Sequence, residues 1–403
     1  MAQIKLNLDT DLLHELFSKE GRNNGMSKLM EAILNQVLEV QAEEQLGAKP
    51  YERSENRTAY RNGYRDRQLK TRIGSITLSV PRFRSGEFST SLFTRYQRSE
   101  QALVLSMMEM VINGVSTRNV TKITEELCGT SFSKSTISLL CKRLDPEVKE
   151  FLKRPLHKHY PFVVVDALYT KSREEKRVRS IGLLMAIAVS VEGIREIIGF
   201  TVADSESESS WSSFFALLKE RGLKNVDYLV SDNHSGLRKA LTKHFQGSTW
   251  QHCQTHFSRN VLDAANKKFQ PELKNWLKSL YNAKNITIAR KIKDEIASIY
   301  ETKAPKAINV LDSGFDNAMA IMDLPEKYRK RLRTSNSIER LNQEIRRRER
   351  VIRIFPNRES VIRLIGAVLM EVNEKWSSGK KYLDMEEYYN SIKEDKLETL
   401  KAS

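Results

Sequence analysis

The alternation of apolar and polar positions is clearest in the second half of the chain, where it predicts an α/β core. Four apolar stretches there have the length and composition of buried strands, and they cover 162–165, 181–191, 194–202 and 226–230. A segment at 209–221 with apolar residues at helical spacing separates the third stretch from the fourth. Three consecutive strands followed by a helix, a strand and a helix indicate a sheet covered by helices.

A helical block is predicted after this core. A fifth strand is expected around Trp250, and from 257 to 332 apolar residues recur at helical spacing. Prolines at 271, 305 and 325 divide this stretch into separate helices. Another helix is predicted to begin near Ser335.

The first 48 residues have a helical pattern. Ser27 is a plausible cap, and a stripe of apolar residues at helical spacing consists of Met30, Ile33, Val37 and Val40. The stretch is acidic, which argues against a DNA contact. A stripe without a local partner indicates a dimer interface, and packing within the monomer explains it equally well.

Residues 49–155 combine a basic segment with a helical one. Between 51 and 98, ten arginines are interleaved with aromatic residues, the composition that phosphate binding and base stacking require. Within this segment, residues 74–80 alternate and predict a short strand that ends at Pro81. Three helices are predicted between 99 and 145, with Gly114 and Gly129 at the joints; the second and third match a helix-turn-helix whose reading end begins at Ser133.

Composition and charge narrow the function classes. The chain has 403 residues, enough for two or three domains, and 67 Lys and Arg against 51 Asp and Glu give a net charge of +16. The longest apolar run is nine residues, about half of what a membrane-spanning helix needs. No signal peptide is recognisable, so we expect a cytoplasmic protein, and its three cysteines are expected to be free thiols or metal ligands. The excess positive charge makes a polyphosphate such as DNA the expected partner.

Two aspartates each follow a predicted buried strand. Asp166 follows the apolar run 162–165, and Asp232 follows 226–230. Unpaired carboxylates at the rim of a core are costly, and two of them on neighbouring strands would be stabilised by a divalent cation. The alternative is that each aspartate caps a following helix.

A third acid lies on the helix predicted near Ser335. There Ile338, Leu341 and Ile345 form the buried stripe, and an adjacent polar face consists of Glu339, Asn342, Gln343, Arg346 and Arg350. Asn336 and Glu339 also have the spacing of a capping box, and Glu344 or Glu349 could be the functional acid instead.

A single Cys-x-x-His pair, Cys253 and His256, follows the fifth predicted strand. A closed zinc site needs four ligands, and this segment offers two, or three if His252 turns inward. Zinc binding and a structural hydrogen-bonding role for His256 therefore both remain open, and the second is favoured.

The chain resembles the mutator-type transposases of bacterial insertion sequences. The matching stretches lie between residues 61 and 357. In the arginine-rich and helical segments they are Arg61-Asn-Gly-Tyr-Arg65, Thr71-Arg-Ile-Gly74, Val80-Pro-Arg82 and Gly114-Val-Ser-Thr-Arg118. In the second half of the chain they are Val164-Val-Asp166, Ser231-Asp232-Asn-His-Ser-Gly-Leu237, Gln251-His-Cys-Gln-Thr-His256 with Arg259-Asn260, Ser335-Asn-Ser-Ile-Glu339-Arg-Leu-Asn342 and Phe355-Pro-Asn357. His252 departs from the arginine expected before the cysteine. The resemblance implies a ribonuclease-H-like catalytic core interrupted by an all-helical insertion, preceded by helical and small basic DNA-binding domains.

With this resemblance, the chain divides into six segments. They are an N-terminal helical dimerisation region (1–48), a basic DNA-binding region with short strands (49–98), a helix-turn-helix domain (99–155), the first part of the core (156–256), the helical insertion (257–333) and the C-terminal core helices (334–403).

The resemblance also implies a DDE triad, which falls on Asp166, Asp232 and Glu339, the acids already suspected. We predict two Mg²⁺ ions per site, with Mn²⁺ as a substitute; Asp166 bridges them, and the other two acids each complete one coordination sphere. Cys253 and His256 are placed beside the triad in a supporting role. DNA contacts are predicted for these residues: Arg61, Arg65, Arg72, Arg82, Arg118, Lys134, Ser135, Arg259, Arg346, Arg347 and Arg350.

The predicted activity is DNA transposition. The enzyme would bind the terminal inverted repeats, cleave the ends by hydrolysis and transfer the 3′-hydroxyl to target DNA, through a circular intermediate as the resemblance implies. A homodimer or higher oligomer is expected, without a membrane and in association with the bacterial nucleoid. The alternatives are a non-catalytic helix-turn-helix regulator and a nuclease without strand transfer.

Overall fold

The computed structural model describes residues 10–11, 22–90, 92, 99–129, 131–334 and 336–390, with the side chains of all of these except 22–24, 336 and 337. The chain divides into two compact units, 1–143 and 144–403. Within the described residues, no helix has the length and apolar character needed to cross a membrane.

Among the described residues of the first unit from 22 onward, a helix precedes a two-stranded sheet, and three further helices follow the sheet. In chain order they are α1 (Arg22–Leu46), β1 (Arg61–Thr71), β2 (Gly74–Phe83), α2 (Gln101–Ile112), α3 (Thr117–Cys128) and α4 (Lys134–Cys141). A short 3₁₀ helix, Lys142–Leu144, follows α4.

Helix α1 packs on the β1–β2 sheet of its own chain. Its apolar residues Met30, Leu34 and Leu38 contact a small core to which the sheet contributes Ile76 and Leu78. Of the predicted stripe, Met30 contacts this core, whereas Ile33, Val37 and Val40 are half-buried and are not part of it. The dimer interface predicted for this region stays a prediction. Ser27 was also wrongly predicted as a cap, since it lies within α1. Residues 1–9 and 12–21, which belong to the predicted N-terminal helical region, lie outside the described residues.

The strand predicted at 74–80 is longer than expected. It does not end at Pro81 but continues to Phe83, and it pairs with β1, which the sequence pattern did not predict. Pro81 faces Tyr64, next to a register shift between Arg61 and Tyr64. A proline is tolerated at such an irregularity because no ladder hydrogen bond from its nitrogen is required there.

The three helices predicted between 99 and 145 are confirmed. Ser116 caps α3 by accepting a hydrogen bond from the Asn119 amide, and Ser133 caps α4 by accepting one from the Thr136 amide. Gly129 ends α3 with a left-handed φ of 59°, a conformation that glycine adopts without strain. The Thr121 hydroxyl donates to the Phe132 carbonyl at 2.7 Å, which ties the turn to α3. Helices α3 and α4 are therefore two consecutive capped helices tied together at the turn, and their role as a helix-turn-helix DNA-binding domain stays a prediction.

The second unit is a five-stranded sheet with helices on both faces. Its first helix is α5 (Asp145–Lys153), and its strands are β3 (Phe162–Glu174), β4 (Arg177–Val189), β5 (Arg195–Ala203), β6 (Tyr228–Ser231) and β7 (Thr249–His252). The strand order is β5-β4-β3-β6-β7, in which β3, β4 and β5 are antiparallel and β6 and β7 run parallel to β3.

Successive side chains of β3 pack into two different hydrophobic cores, one on each face of the sheet. Val163 and Val165 face the core formed with α6 (Glu208–Glu220) and α7 (Ser235–His244). Val164 and Leu168 face the core formed with α13 (Asn336–Ile352) and α14 (Arg358–Ser377). The apolar runs are continuous because the sheet is covered on both sides.

The predicted helical block is confirmed. It consists of α8 (Gln254–Asp263), α9 (Gln270–Tyr281), α10 (Ile286–Tyr300), α11 (Pro305–Met319), a 3₁₀ turn (Ala320–Asp323) and α12 (Glu326–Leu332). Pro271 lies in the first turn of α9, Pro305 opens α11 and Pro325 precedes α12. The two ends of the block are adjacent, because the backbone amide of Gln254 donates a hydrogen bond to the backbone carbonyl of Arg333 at 3.0 Å.

Helix α5 belongs to the sheet unit. The sequence analysis instead placed α5 in the helix-turn-helix domain, because it predicted the domain boundary between residues 155 and 156. Asp145 accepts two hydrogen bonds from the Arg363 guanidinium of α14, at 2.6 and 2.9 Å. Val148 of α5 packs directly against Gly366 of α14, where an added Cβ would lie 2.4 Å from the valine Cγ1. Residues beyond α14 include a helical stretch at 386–390.

Candidate active site

The first two predicted acids lie side by side on the sheet. Strands β3 and β6 pair in parallel, with Val164 opposite Val230. Asp166 lies within β3, two residues after Val164, so the two-residue period of the strand directs its carboxylate to the side of the α13/α14 core that Val164 also faces. Asp232 follows the last residue of β6, close enough for its charge to raise the pKa of Asp166.

Burial dominates the electrostatics of this acid pair. Asp166 is 8% exposed, and burial, with the neighbouring charge of Asp232, raises the pKa of Asp166 to about 6. The charge of His256 and a hydrogen bond from Asn342 act in the opposite direction. Asp232 accepts a hydrogen bond from the His234 amide at 3.2 Å, but the predicted capping role is wrong, because the N-cap residue of α7 is His234.

Helix α13 brings its polar face to Asp166. Its predicted apolar stripe is confirmed, since Ile338, Leu341 and Ile345 are buried in the core against the sheet. The Asn342 Nδ2 group donates to Asp166 Oδ2 at 3.0 Å. Glu339 is half-buried and precedes Asn342 by three residues, so the two side chains are neighbours on one helix face.

The third acid does not complete a cluster in this structure. No three His, Cys, Asp or Glu side chains within the described ranges lie close enough together to hold a metal ion. The structure thus brings Asp166, Asp232 and Asn342 together and places Glu339 within one helical turn of that group. The capping box proposed for Asn336 concerns a side chain outside the described residues.

The two alternative acids of α13 have structural partners. Glu349 is buried, accepts a hydrogen bond from the Thr170 hydroxyl at 2.6 Å and pairs with Arg346 at 2.7 Å. Glu344 pairs with Arg347 and Arg348, and the hydrogen bond from Arg347, followed by that from Arg348, lowers the pKa of Glu344 to about 2. Both acids are therefore held in ion pairs along the helix.

The Cys-x-x-His segment lies beside the acid pair. Cys253 is fully buried, and a hydrogen bond to Cys253 raises the pKa of His256 to about 9, with smaller contributions from Asp166 and Asp232. These contacts favour the protonated form of His256, whose charge would partly compensate the two carboxylates. Zinc binding and the structural role of His256 both stay predictions.

His252 does not join Cys253 and His256. Its ring stacks on Trp250 with centroids 5.5 Å apart and an interplanar angle of 14°, and burial lowers the pKa of His252 to about 4. The Arg238 guanidinium lies over the Trp250 ring, 3.5 Å from the ring centroid. An arginine is thus present in this region, contributed by α7.

Sequence reasoning missed Glu206. This acid lies between β5 and α6, with an 8% exposed side chain, and its Oε1 accepts a hydrogen bond from the Trp211 indole at 3.2 Å. The His234 Nδ1 lies 3.7 Å from the same oxygen. Burial, and next the charge of Asp232, raises the pKa of Glu206. The signal was available, because Glu206 follows a buried strand and precedes a capped helix.

The predicted DNA contacts fall into two groups. Four are in ion pairs: Arg61 with Glu39, Arg72 with Glu100, Arg346 with Glu349 and Arg347 with Glu344. The others have exposed side chains: Arg65, Arg82, Arg118, Lys134, Ser135, Arg259 and Arg350. The exposed group includes residues in the first turns of α3 and α4 of the predicted helix-turn-helix.

Comparison with known proteins identifies the family. The family model for transposases of the mutator family matches residues 1–379. The chain belongs to the mutator family of transposases.

Several insertion-sequence transposases are similar to this transposase over most of its length. The transposase of insertion sequence element IS256 in transposon Tn4001 of Staphylococcus aureus is 43% identical over 390 residues, which cover 96% of this chain and all of that protein. The ISRM5 transposase of Rhizobium meliloti is 40% identical over 364 residues, 90% of this chain and 92% of that protein. The IS1081 transposase of Mycobacterium tuberculosis is 36% identical over 360 residues, 89% of this chain and 87% of that protein.

Proposed function

We propose that this transposase binds the terminal inverted repeats of its insertion sequence, cleaves the ends by metal-dependent hydrolysis and transfers the 3′-hydroxyl to target DNA through a circular intermediate. The observation that carries this proposal is the adjacent pair Asp166 and Asp232, with helix α13 packed over it. The enzyme would act in the bacterial cytoplasm on nucleoid DNA.

The sheet unit is proposed to be a ribonuclease-H-like core. Three antiparallel strands are followed by two that run parallel to the first, and the spatial order is β5-β4-β3-β6-β7. The α8–α12 block then occupies the place of the helical insertion between Asp232 and Glu339. This arrangement supports a DDE active site assembled from β3, β6 and α13.

The donors present suit Mg²⁺ or Mn²⁺. Asp166 offers carboxylate oxygens in a buried setting and Asp232 in a half-buried one, and repulsion between them would be relieved by a divalent cation. Glu339 would join them by turning toward Asp166 from its place one turn before Asn342. When bound, the cations would supply activation of the attacking oxygen and stabilisation of charge on the phosphodiester.

The chain's own residues would position the substrate. His256, whose pKa is raised beside the acid pair, would balance negative charge there when it is protonated. Exposed Arg259 on α8 and Arg350 on α13 would contact phosphates. In the first unit, the first turn of α4, with Lys134 and Ser135, would meet the groove of the terminal repeat.

The assembly is proposed to be at least a dimer, because two ends must be cut and joined together. This expectation follows from the reaction itself. Light scattering of the protein on paired end fragments would measure it, and a monomer on DNA would contradict it.

The test is a reaction of the purified protein with its own element's ends, target DNA and Mg²⁺, with every product strand mapped. D166N, D232N and E339Q should each abolish cleavage and strand transfer while end binding is retained. D316N is the control, since Asp316 is an exposed acid of the helical block. Retained strand transfer in a triad variant would remove that residue from the site. Binding without any metal-dependent cleavage by the wild type would indicate a regulator, and cleavage without joining would indicate a nuclease.

A further inference from the structure

Asn342 holds an unusual position beside the acid pair. Its Nδ2 group donates to Asp166 Oδ2 at 3.0 Å, across 176 residues of sequence. Its other amide atom, Oδ1, is buried and accepts no hydrogen bond from any residue that the structure describes. Buried acceptors are nearly always satisfied, and an unsatisfied one points to a water or an ion.

The hydrogen bond fixes which way the amide is turned. An asparagine side chain has a donor end and an acceptor end that are similar in shape, so its orientation follows from its partners. Turning it over would place Oδ1 against the Asp166 carboxylate, acceptor against acceptor. The NH₂ group therefore faces Asp166, and Oδ1 is left as a free oxygen lone pair in the same buried neighbourhood.

We infer that Asn342 Oδ1 is a further oxygen ligand of the divalent cation held by Asp166 and Asp232. This inference rests on the proposed function. Amide oxygens are normal ligands of hard divalent cations, alongside carboxylates. The site would then receive two carboxylate oxygens from the sheet and one amide oxygen from α13, with Glu339 delivered by the same helix one turn earlier.

The role of the oxygen can be separated from that of the hydrogen bond. In N342A both are lost. In N342D the donor to Asp166 is lost, but an oxygen remains at the position of Oδ1. Gln343, the next residue, is exposed on the same helix, so Q343A is a matched control.

The experiment measures binding of Mn²⁺ alone to the full-length protein without DNA, by isothermal titration calorimetry. N342A should weaken Mn²⁺ binding by about 10-fold or more, the lower end of the losses seen when residues around a metal site are removed. N342D should bind Mn²⁺ at least as tightly as the wild type, and Q343A should be unchanged. In EDTA, N342D should also melt at a lower temperature than the wild type, because it adds a third carboxylate, and Mn²⁺ should reverse that loss.

Two results would overturn the inference. Unchanged binding in N342A would show that the amide oxygen is not a ligand. Binding in N342D as weak as in N342A would show that the hydrogen bond to Asp166 matters and the oxygen does not. D166N separates this inference from the proposed function: if D166N keeps full Mn²⁺ affinity, the acid pair is not a metal site at all. If D166N loses binding while N342A keeps it, only the assignment of Asn342 fails.

Discussion

Replacing Asp166 by asparagine should stabilise the metal-free protein while it abolishes the reaction. The folded chain holds this carboxyl at 8% exposure, where burial raises its pKa from 3.8 to about 6. Between these two pH values the folded state keeps a proton that the unfolded state has released, so the free energy of unfolding falls as the pH rises through that window and stays lower above it.

The size of the effect follows from the two pKa values. One pH unit between them corresponds to about 1.4 kcal/mol, so the buried charge lowers stability by about 3 kcal/mol above pH 6. Near pH 5 the loss is roughly half as large. D166N has no charge to bury and keeps an oxygen that can accept the hydrogen bond from Asn342. For a unit of this size, 3 kcal/mol corresponds to a rise in melting temperature of roughly 6–12 °C.

The assay is thermal unfolding followed by circular dichroism in EDTA, at pH 7.5 and at pH 5. D166N should melt above the wild type at pH 7.5, and the gain should shrink at pH 5. D316N is the control, with an expected change within about 0.5 kcal/mol because Asp316 is exposed. Mn²⁺ should raise the melting temperature of the wild type and leave that of D166N almost unchanged. If D166N melts at or below the wild type at pH 7.5, or if D316N gains as much, the buried-charge argument is refuted.

Three further predictions concern packing, the helical block and the identity of the third acid. G366A should destabilise the protein by about 1–2 kcal/mol in chemical denaturation, because the new methyl meets Val148, and the same change in a V148A background should be neutral or stabilising. Q251A should cost about 2–4 kcal/mol, since the fully buried Gln251 amide satisfies backbone groups of α11 and the following 3₁₀ turn; an unchanged denaturation midpoint would contradict that role. E339Q should abolish strand transfer and E349Q should retain it, as measured on labelled element ends; the reverse pattern would move the third acid to Glu349.

The periodicity of apolar residues predicted the strands and helices whose burial can be recognised from neighbouring positions in the sequence. The strands of the sheet unit, the helices of the block and the apolar stripe of α13 were all recognised because each buries a continuous or periodic set of residues. Asp166 and Asp232 were found for the same reason, as single charges at the ends of buried runs.

The remaining features depend on contacts between distant residues. Strand β1 escaped prediction because residues 62–66 are all exposed and show no alternation. Helix α5 was placed in the wrong unit because its partners Arg363 and Gly366 lie more than 200 residues away. The contact between Asp166 and Asn342 likewise joins β3 to a helix beyond the whole block, and the pattern around either residue does not encode it. Glu206 is different, because it could have been predicted: like Asp166 and Asp232, it is an acid that follows a buried apolar run.

The hydrogen bond between Gln254 and Arg333 has a consequence for how the enzyme can vary. Residues 254–333 leave and rejoin the sheet unit at adjacent points, and the end of α11 with the following 3₁₀ turn also packs against β7. Changes in the length of the loops around α9 and α10, away from this contact, need not displace the strands that carry the aspartates. Tags, shortened loops or grafted sequences there should accordingly be tolerated. The junction after the block is different, because only five residues lie between Arg333 and Glu339, and an insertion or deletion there should move the third predicted acid.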